Sequence, residues 1–227
     1  MNERLKLIST HIDNGIGFVD VGTDHGYLPI EMCLNGYNGN VFASDINEDP
    51  LNKAKRNARE ASVSDKMEFL LCDGLETSLQ EKIDTIIIAG MGGDTICAIL
   101  DKAEWCMDGR YKLILQPMTK AEVLRYWLVY NGFEIKSEEL VLENGTIYQI
   151  IVTVFGGETV LNDAELFAGK RSLCNDDGLY KENVITLIKR FDKAALSMEK
   201  GFDSALDGKI KLYRDIVTQL ERLITDA

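Results

Sequence analysis

Up to about residue 156, short apolar runs alternate with amphipathic stretches along the chain. The apolar runs are rich in β-branched residues and predict strands at Gly17–Val21, Val41–Ser44, Met67–Leu71, Thr85–Ala89 and Tyr111–Leu115. Helical spacing between them predicts helices at Leu28–Asn35, Pro50–Ala61, a short segment after Gly74, Asp94–Lys102 and Thr119–Asn131. Alternation of this kind is typical of an α/β domain built on a parallel sheet.

The pattern changes after the fifth strand and helix. Phe133–Leu142 and Thr146–Phe155 both have the character of strands, and the segment between them contains Asn144-Gly145, a strong signal for a hairpin turn. Plain dinucleotide-binding folds usually continue with a parallel sixth strand. An antiparallel hairpin in this place instead favours a class I, Rossmann-like methyltransferase fold.

After Gly156-Gly157 the strand signal stops and two long amphipathic helices are predicted. Apolar residues recur at helical spacing, first at Tyr180, Val184, Leu187, Ile188, Phe191, Ala195 and Met198, and then at Ile210, Tyr213, Val217, Leu220 and Ile224. Gly201 and Gly208 bracket the expected turn. We therefore expect a domain at residues 1–157 and a helical, coiled-coil-like hairpin at residues 158–227, with the apolar stripes forming the seam between its helices.

Charge is distributed unevenly between these two parts. The chain of 227 residues has a formal net charge of −12; residues 1–162 hold 14 Lys and Arg against 25 Asp and Glu, and residues 163–227 hold 11 against 12. Because Lys and Arg dominate the binding of phosphates, only the tail is a candidate RNA surface. Its candidate residues are Lys189, Arg190, Lys193, Lys211 and Arg214. An ordinary solvated helix face remains an alternative for this cluster.

Cysteine content and hydropathy bear on the cellular setting. The five cysteines are odd in number and contain no C-x-x-C pair, and only two histidines are present, so no metal site is expected. No apolar run reaches the roughly 18 residues of a membrane span, and the N-terminus has no signal-peptide core. These features predict a reduced, cytoplasmic protein without a membrane partner. We also expect a monomer or weak dimer.

The most informative turn is DVGTDHGYLP, residues 20–29, which follows the first strand. In a nicotinamide-dinucleotide site, such a turn places backbone amides and a helix N-terminus against a pyrophosphate. Asp24 would put a negative charge beside that anion. S-adenosylmethionine has no phosphate and carries a cationic ammonium and sulfonium, so the carboxylate favours this cofactor.

Polar or small residues follow the next three strands as well. Asp45 ends the second strand, where an acid can bind ribose hydroxyls, and Asp73 follows the third, where it can accept a hydrogen bond from the amino group of adenine. Gly90-Met91-Gly92-Gly93 follows the fourth strand and would let a substrate approach the methyl group. All lie at the carboxyl ends of strands, the ligand-binding edge of a parallel sheet. Each aspartate taken alone is more often a helix cap or turn former than a ligand, and only the ordered set favours a binding site.

Three stretches carry a family resemblance: Gly22-Thr23-Asp24-His25-Gly26-Tyr27-Leu28-Pro29, Ile88-Ala89-Gly90-Met91-Gly92-Gly93 and Leu115-Gln116-Pro117. The chain resembles the bacterial tRNA adenine-N1 methyltransferases that modify position 22, the TrmK family, over residues 1 to about 155 and in the layout of its tail. The resemblance implies a Rossmann-like domain with a C-terminal coiled-coil hairpin, S-adenosylmethionine as cofactor and a tRNA methylated in its D-arm. Met118 departs from the Asn found after Gln-Pro in many relatives, and neither it nor Asp94 is given a family role.

Site residues follow from the resemblance position by position. The cofactor would be held by Asp20, Gly22, Thr23, Asp24, His25, Gly26, Asp45, Asp73, Gly74, Gly90, Met91 and Gly92. Asp24 is the first candidate for supporting charge or accepting a proton in catalysis, and it is equally a candidate for gripping the ammonium of the cofactor. Tyr27 is a candidate platform for a base drawn out of its stack.

Other functions remain open from the residues alone. A methyltransferase acting on a small molecule would share the cofactor argument and would suit the acidic main domain, but it would leave the basic tail without a role. A non-catalytic module that binds S-adenosylmethionine and docks through its hairpin is a second alternative. A nicotinamide oxidoreductase is disfavoured by Asp24.

Overall fold

The structure is a computed structural model that describes residues 1–76, 79–200 and 204–225. Its strands are β1 Gly17–Val21, β2 Asn40–Asp45, β3 Glu68–Leu71, β4 Thr85–Gly92, β5 Lys112–Thr119, β6 Phe133–Glu143 and β7 Thr146–Phe155. Its α-helices are α1 Glu3–Thr10, α2 Tyr27–Leu34, α3 Glu48–Glu60, α4 Gly93–Asp101, α5 Ala121–Tyr130, α6 Asp163–Ala168, α7 Asp177–Glu199 and α8 Asp207–Thr225. Short 3-10 turns lie among them.

The strands form one sheet in the order β3-β2-β1-β4-β5-β7-β6. Strands β1 to β5 pair in parallel, whereas β7 is antiparallel to both β5 and β6. The predicted class I methyltransferase fold is therefore confirmed. The chain proceeds outward from β1 in one direction and from β4 in the other, so a crevice opens at the carboxyl ends of these two strands, where open α/β sheets bind ligands.

Burial on both faces explains why the central strands are so apolar. All five residues of β1 are buried, and successive side chains of a strand point to opposite faces. Val19 and Val21 accordingly belong to the core on the side of α4 and α5, while Phe18 belongs to the core on the side of α1, α2 and α3. Near-continuous apolar runs are the expected signature of strands covered by helices on both faces.

Two short helices were not predicted from the sequence, although both carry capping signals. The side chain of Asn2 accepts a hydrogen bond from the backbone N–H of Leu5 at 2.9 Å and starts α1. Asn162 and Glu165 form a reciprocal capping box at the start of α6. The short helix predicted after Gly74 was wrong for the described residues there, which are not helical; Gly74 itself takes a left-handed φ of 60°.

The predicted helical hairpin is confirmed by α7 and α8. Buried Tyr180, Val184 and Phe191 of α7 share a core cluster with Val217 and Leu220 of α8. Of the two glycines expected to bracket the turn, Gly201 lies outside the described residues. Gly208 lies in the first turn of α8 and not in the turn before it. None of the described helices is both long enough and apolar enough to cross a membrane.

A buried ion pair joins the hairpin region to the sheet. Arg125 of α5 and Glu138 of β6 are both fully buried, and Arg125 Nε donates to Glu138 Oε1 at 2.8 Å. The same guanidinium donates to the carbonyl oxygen of Leu166 in α6 at 2.9 Å. Leu140 of β6 also belongs to the core cluster of α7 and α8. The helical hairpin therefore packs directly on the antiparallel end of the sheet.

Candidate active site

A cavity of about 330 Å³ opens at the carboxyl ends of β1 and β4. Its walls come from α1, the turn after β1, the start of α2 and the end of β4. The lining residues are Asn2, Arg4, Leu5, Asp20, Gly22, Thr23, Asp24, His25, Tyr27, Leu28, Ala89 and Gly90. The cavity lies in the crevice between the carboxyl ends of β1 and β4, and most residues of the first glycine turn line it.

The first two backbone amides of the glycine turn bond to the protein itself and are not available to a pyrophosphate. The backbone N–H groups of Gly22 and Thr23 both donate to the carbonyl oxygen of Ser44, at 2.8 and 3.0 Å, and are therefore already used. Gly22 has a φ of 74°, and a Cβ built there would lie 2.2 Å from Met91 Cε. Glycine at this position thus lets the turn and the loop after β4 approach each other closely.

Asp20 is a buried carboxylate without a cationic partner. It accepts a hydrogen bond from Thr23 Oγ1 at 2.7 Å, and in the described part of the chain no Lys, Arg or His forms an ion pair with it. Burial raises the pKa of Asp20 to about 6; the hydrogen bond from Thr23 opposes this rise, and the nearby carboxylate of Asp45 adds to it. A bound cation would relieve this cost, so the residues present fit a cationic ligand such as the ammonium of S-adenosylmethionine.

Asp24, His25 and Tyr27 form the rim of the cavity. Asp24 is exposed, has a left-handed φ of 42°, and places Oδ2 3.4 Å from His25 Nε2. The rings of His25 and Tyr27 are stacked with centroids 5.1 Å apart and planes 11° apart. Tyr27 is 54% exposed, so an aromatic surface is presented to whatever enters the cavity from solvent.

The loop after β4 is held by a buried glutamine. Gln116 Oε1 accepts hydrogen bonds from the backbone N–H of Gly90 at 3.1 Å and from Arg4 Nη1 at 2.7 Å, while Nε2 donates to the carbonyl oxygen of Pro117 at 2.8 Å. Gly90 itself has a φ of 80°, and a Cβ there would meet open space. Gln116 therefore positions the loop that faces the cavity, although Gln116 itself does not line the cavity.

Asp45 and Asp73 lie at the same edge of the sheet but outside the lining of this cavity. Asp45 is buried and its Oδ1 accepts a hydrogen bond from the backbone N–H of Asn47 at 2.8 Å. Asp73 Oδ2 is 2.5 Å from Lys102 Nζ. Both carboxylates thus have local partners, and their roles as ribose and adenine ligands stay predictions.

Of the loop residues Gly90, Met91 and Gly92, only Gly90 lines the cavity, whereas Met91 packs against the core. Gly92 precedes α4, where Asp94 Oδ2 lies 2.6 Å from Lys120 Nζ. The hydrogen bond from Lys120 lowers the pKa of Asp94. Asp94 therefore forms an ion pair with Lys120, the residue that precedes α5.

Sequence reasoning missed the contribution of α1. Arg4 is the only Lys or Arg among the described residues that line the cavity, and the backbone N–H of Arg4 also donates to Glu143 Oε2 at 3.1 Å, which fixes α1 to the β6–β7 turn. The signal was available, because Asn2 at the N-cap followed by Glu3 in the first turn predicts a helix start. Gln116 was recognised as part of a motif but was given no role.

The cationic side chains of the tail differ in their exposure and in their ion pairing. Lys189, Arg190, Lys193 and Lys211 are exposed. Arg214 instead bridges the two helices, with Nη1 2.6 Å from Asp192 Oδ1 and Nη2 3.0 Å from Glu199 Oε1. Its charge is largely compensated within the hairpin.

The strand order, the position of the cavity and the carboxylate-bearing turn at its edge together define an S-adenosylmethionine-dependent methyltransferase of class I. Comparison with known proteins agrees: residues 1–151 match the family described as "Methyltransferase domain". The chain is 32% identical over 163 residues to the tRNA (adenine(22)-N(1))-methyltransferase of Bacillus subtilis strain 168, an alignment that covers 72% of this chain and 68% of the relative. The chain belongs to this family of tRNA adenine-N1 methyltransferases, and the resemblance seen in the sequence is confirmed.

Solved structures of similar proteins extend the likeness to the whole chain. The structure of Bacillus subtilis TrmK, a tRNA methyltransferase, superposes with a TM-score of 0.88 at 25% identity and covers 99% of this chain and 98% of that one. Streptococcus pneumoniae Sp1610, solved in complex with S-adenosyl-L-methionine, superposes with a TM-score of 0.79 at 27% identity and covers 99% of both chains. The helical hairpin is therefore part of the shared architecture.

Proposed function

We propose that this protein transfers the methyl group of S-adenosylmethionine to N1 of the adenine at position 22, in the D-arm of tRNA. The observation that carries the proposal is the buried, cation-free carboxylate of Asp20 beside a cavity at the switch point of the sheet, in a chain of this family. We also infer that the enzyme works in the cytoplasm as a monomer or weak dimer; five free thiols support a reducing compartment.

The cofactor is S-adenosylmethionine, which when bound supplies an electrophilic methyl group on a sulfonium. We assign the methionine end to Asp20 and the turn Gly22–Gly26, since the part of this turn from Gly22 to His25 lines the cavity and carries negative charge. Asp45 would take the ribose, and Asp73 with Gly74 the adenine, from their places at the ends of β2 and β3. Gly90 would form the floor on which the target base approaches.

The chemistry asks little of the protein beyond position and charge. Adenine N1 has an in-plane lone pair, so the new bond from N1 to the methyl carbon forms as the bond from sulfur to that carbon breaks, without prior activation of the nucleophile. The methylated purine is cationic until an N6 proton leaves. Asp24, exposed at the rim, would stabilise this charge and accept that proton.

Adenine N1 lies on the base-pairing edge, so the target must be extracted from its stack at a cost of a few kcal/mol. The exposed ring of Tyr27, held by stacking on His25, would receive the displaced base. Lys189, Arg190, Lys193 and Lys211 would contact the tRNA backbone from the hairpin, with Arg214 fixing the two helices to each other.

The deciding experiment is methyl transfer from labelled S-adenosylmethionine to unmodified tRNA, followed by reverse transcription. We expect label on the tRNA and a stop at one D-arm adenine, because N1-methyladenine blocks base pairing. The matched control is the same tRNA with that adenine replaced by guanine, which should take up no label. Label without the stop would indicate that an atom other than adenine N1 is methylated. No label despite cofactor binding would refute the proposal.

Two variants separate the roles at the rim. Asp24→Asn should reduce kcat on tRNA by about tenfold to a hundredfold if the carboxylate acts on the transferred charge, with cofactor affinity retained. A loss confined to cofactor affinity would instead assign Asp24 to the ammonium. Tyr27→Ala should lower tRNA turnover with normal cofactor binding, and normal turnover would refute the platform role.

A further inference from the structure

Charged groups of both signs line the cofactor cavity, and they come from different elements of the fold. Asp20 and Asp24 belong to β1 and to the turn that follows it, whereas Arg4 belongs to α1. Although two carboxylates line the same cavity, no carboxylate in the described part of the chain forms an ion pair with the guanidinium of Arg4. Separate positive and negative groups in one cavity favour a ligand that itself carries both charges.

The guanidinium of Arg4 is held by the protein at one nitrogen and is unpartnered at the other two. Nη1 donates to Gln116 Oε1 at 2.7 Å and lies 3.0 Å from Met118 Sδ. Nε is buried and donates to no acceptor, and Nη2 has no hydrogen-bond partner among the described residues. A buried donor without a partner costs free energy, which a bound acceptor would recover. Nε and Nη2 together form a planar fork of the kind that binds a carboxylate through two parallel hydrogen bonds.

The backbone of the glycine turn offers few alternatives for binding a carboxylate. The N–H groups of Gly22 and Thr23 already donate to the carbonyl oxygen of Ser44. Arg4 is the only Lys or Arg among the described residues that line the cavity. A ligand with phosphate groups and no cation would gain from Arg4 but would meet the acidic side chains of the same cavity. An amino-acid group, with its ammonium and carboxylate on one carbon, satisfies both kinds of charge.

We propose that Arg4 binds the α-carboxylate of the methionine end of the cofactor, while Asp20 takes the ammonium. The inference rests on the proposed function and adds to it a residue that determines cofactor specificity. Without Arg4, the charged side chains of the cavity would be acidic, and they would favour decarboxylated S-adenosylmethionine, which carries one more unit of net positive charge. With Arg4 present, the cavity selects the carboxylated form.

The test is calorimetric titration of the full chain with S-adenosylmethionine and with its decarboxylated form. The wild-type protein should bind S-adenosylmethionine about tenfold to a hundredfold more tightly, the effect of a charge-assisted hydrogen-bonded pair. Arg4→Met should weaken the binding of S-adenosylmethionine by that factor and change the Kd for the decarboxylated form by less than about threefold, so that the preference disappears.

The matched control is Lys6→Met, which removes a positive charge from the same helix. Lys6 pairs with Glu3 on the surface and does not line the cavity. This substitution should change both dissociation constants by less than about twofold. Arg4→Lys keeps the charge but not the planar fork, so it should retain a reduced preference for the carboxylated cofactor. It also tests the proposal if the methionine variant does not fold.

The comparison of two ligands separates recognition from a merely structural role. Arg4 also holds Gln116, and a loss transmitted through that contact would weaken both ligands equally. Equal losses, or a wild-type protein that binds both forms equally, would overturn the role of Arg4 and leave the proposed methylation standing. A wild-type protein that binds neither form would instead refute the proposed cofactor, and this inference with it. No tRNA enters these titrations, so they remain decisive for Arg4 if the methylation assay fails.

Discussion

Replacing Asp20 by asparagine measures how much the buried carboxylate of the cofactor site destabilises the protein when no cofactor is bound. The carboxylate is buried, and its pKa is raised from the ordinary 3.8 to about 6 mainly by that burial. Asparagine has nearly the same shape and can still accept the hydrogen bond from Thr23 Oγ1. The substitution therefore removes the ionisable group while leaving the local packing in place.

The sign of the pH dependence of stability follows from the upward shift of the Asp20 pKa. Because the folded protein holds the Asp20 proton more tightly than the unfolded chain does, its contribution to stability is complete below pH 3.8 and is lost as the pH rises through about 6. The full difference corresponds to about 3 kcal/mol. Between pH 5 and pH 7.5 we expect the stability of the wild-type protein to fall by about 1.4 kcal/mol relative to Asp20→Asn.

The assay is urea unfolding of both proteins at a series of pH values between 5 and 7.5. The quantity of interest is the difference between their free energies of unfolding, in which the effects of all other titrating groups cancel. A difference that stays flat over this range would refute the assignment of a raised pKa to Asp20. With saturating S-adenosylmethionine the slope should diminish, because the cationic cofactor favours the ionised carboxylate.

Three further substitutions test the packing described above. Glu138→Gln leaves the guanidinium of Arg125 buried without its counter-charge and should cost about 3–5 kcal/mol in the free energy of unfolding; a loss under about 1 kcal/mol would contradict the buried pair. Gly93→Ala places a Cβ 2.2 Å from the carbonyl oxygen of Lys120, so we expect a fall in thermal midpoint of several degrees and a lower kcat. Gly208→Ala meets open space within α8 and should raise stability by about 0.5 kcal/mol in the same thermal assay.

The sheet was largely predictable because its strands are buried on both faces and read as distinct apolar runs. β1 begins and ends where the pattern predicted, and the turn at Asn144-Gly145 joins β6 and β7 as expected. The two missed helices, α1 and α6, have only eight and six residues. Periodicity is weak over so few residues, and only their N-caps distinguish them from loop.

The candidate site was predictable in its glycine turns and less so in its walls. Residues Gly22 to His25 of the first turn and Gly90 of the second meet at one cavity because the carboxyl ends of β1 and β4 are neighbours in the sheet. Arg4 and Gln116 were missed because their roles depend on a contact across 112 positions of the chain, which local spacing does not encode. Likewise, the pairing of Arg214 with Asp192 and Glu199 depends on how α7 and α8 align.

The buried pair between Arg125 and Glu138 also bears on how the molecule comes apart. It joins α5, β6 and the carbonyl oxygen of Leu166 in α6 within a fully desolvated contact, and Leu140 of the sheet lies in the same apolar cluster as α7 and α8. Removing the tail would expose that cluster and would remove the hydrogen bond from the guanidinium of Arg125 to the carbonyl oxygen of Leu166. The hairpin is thus an appendage in the order of the chain but part of one cooperative unit in denaturation, and a single calorimetric transition is expected from the intact protein.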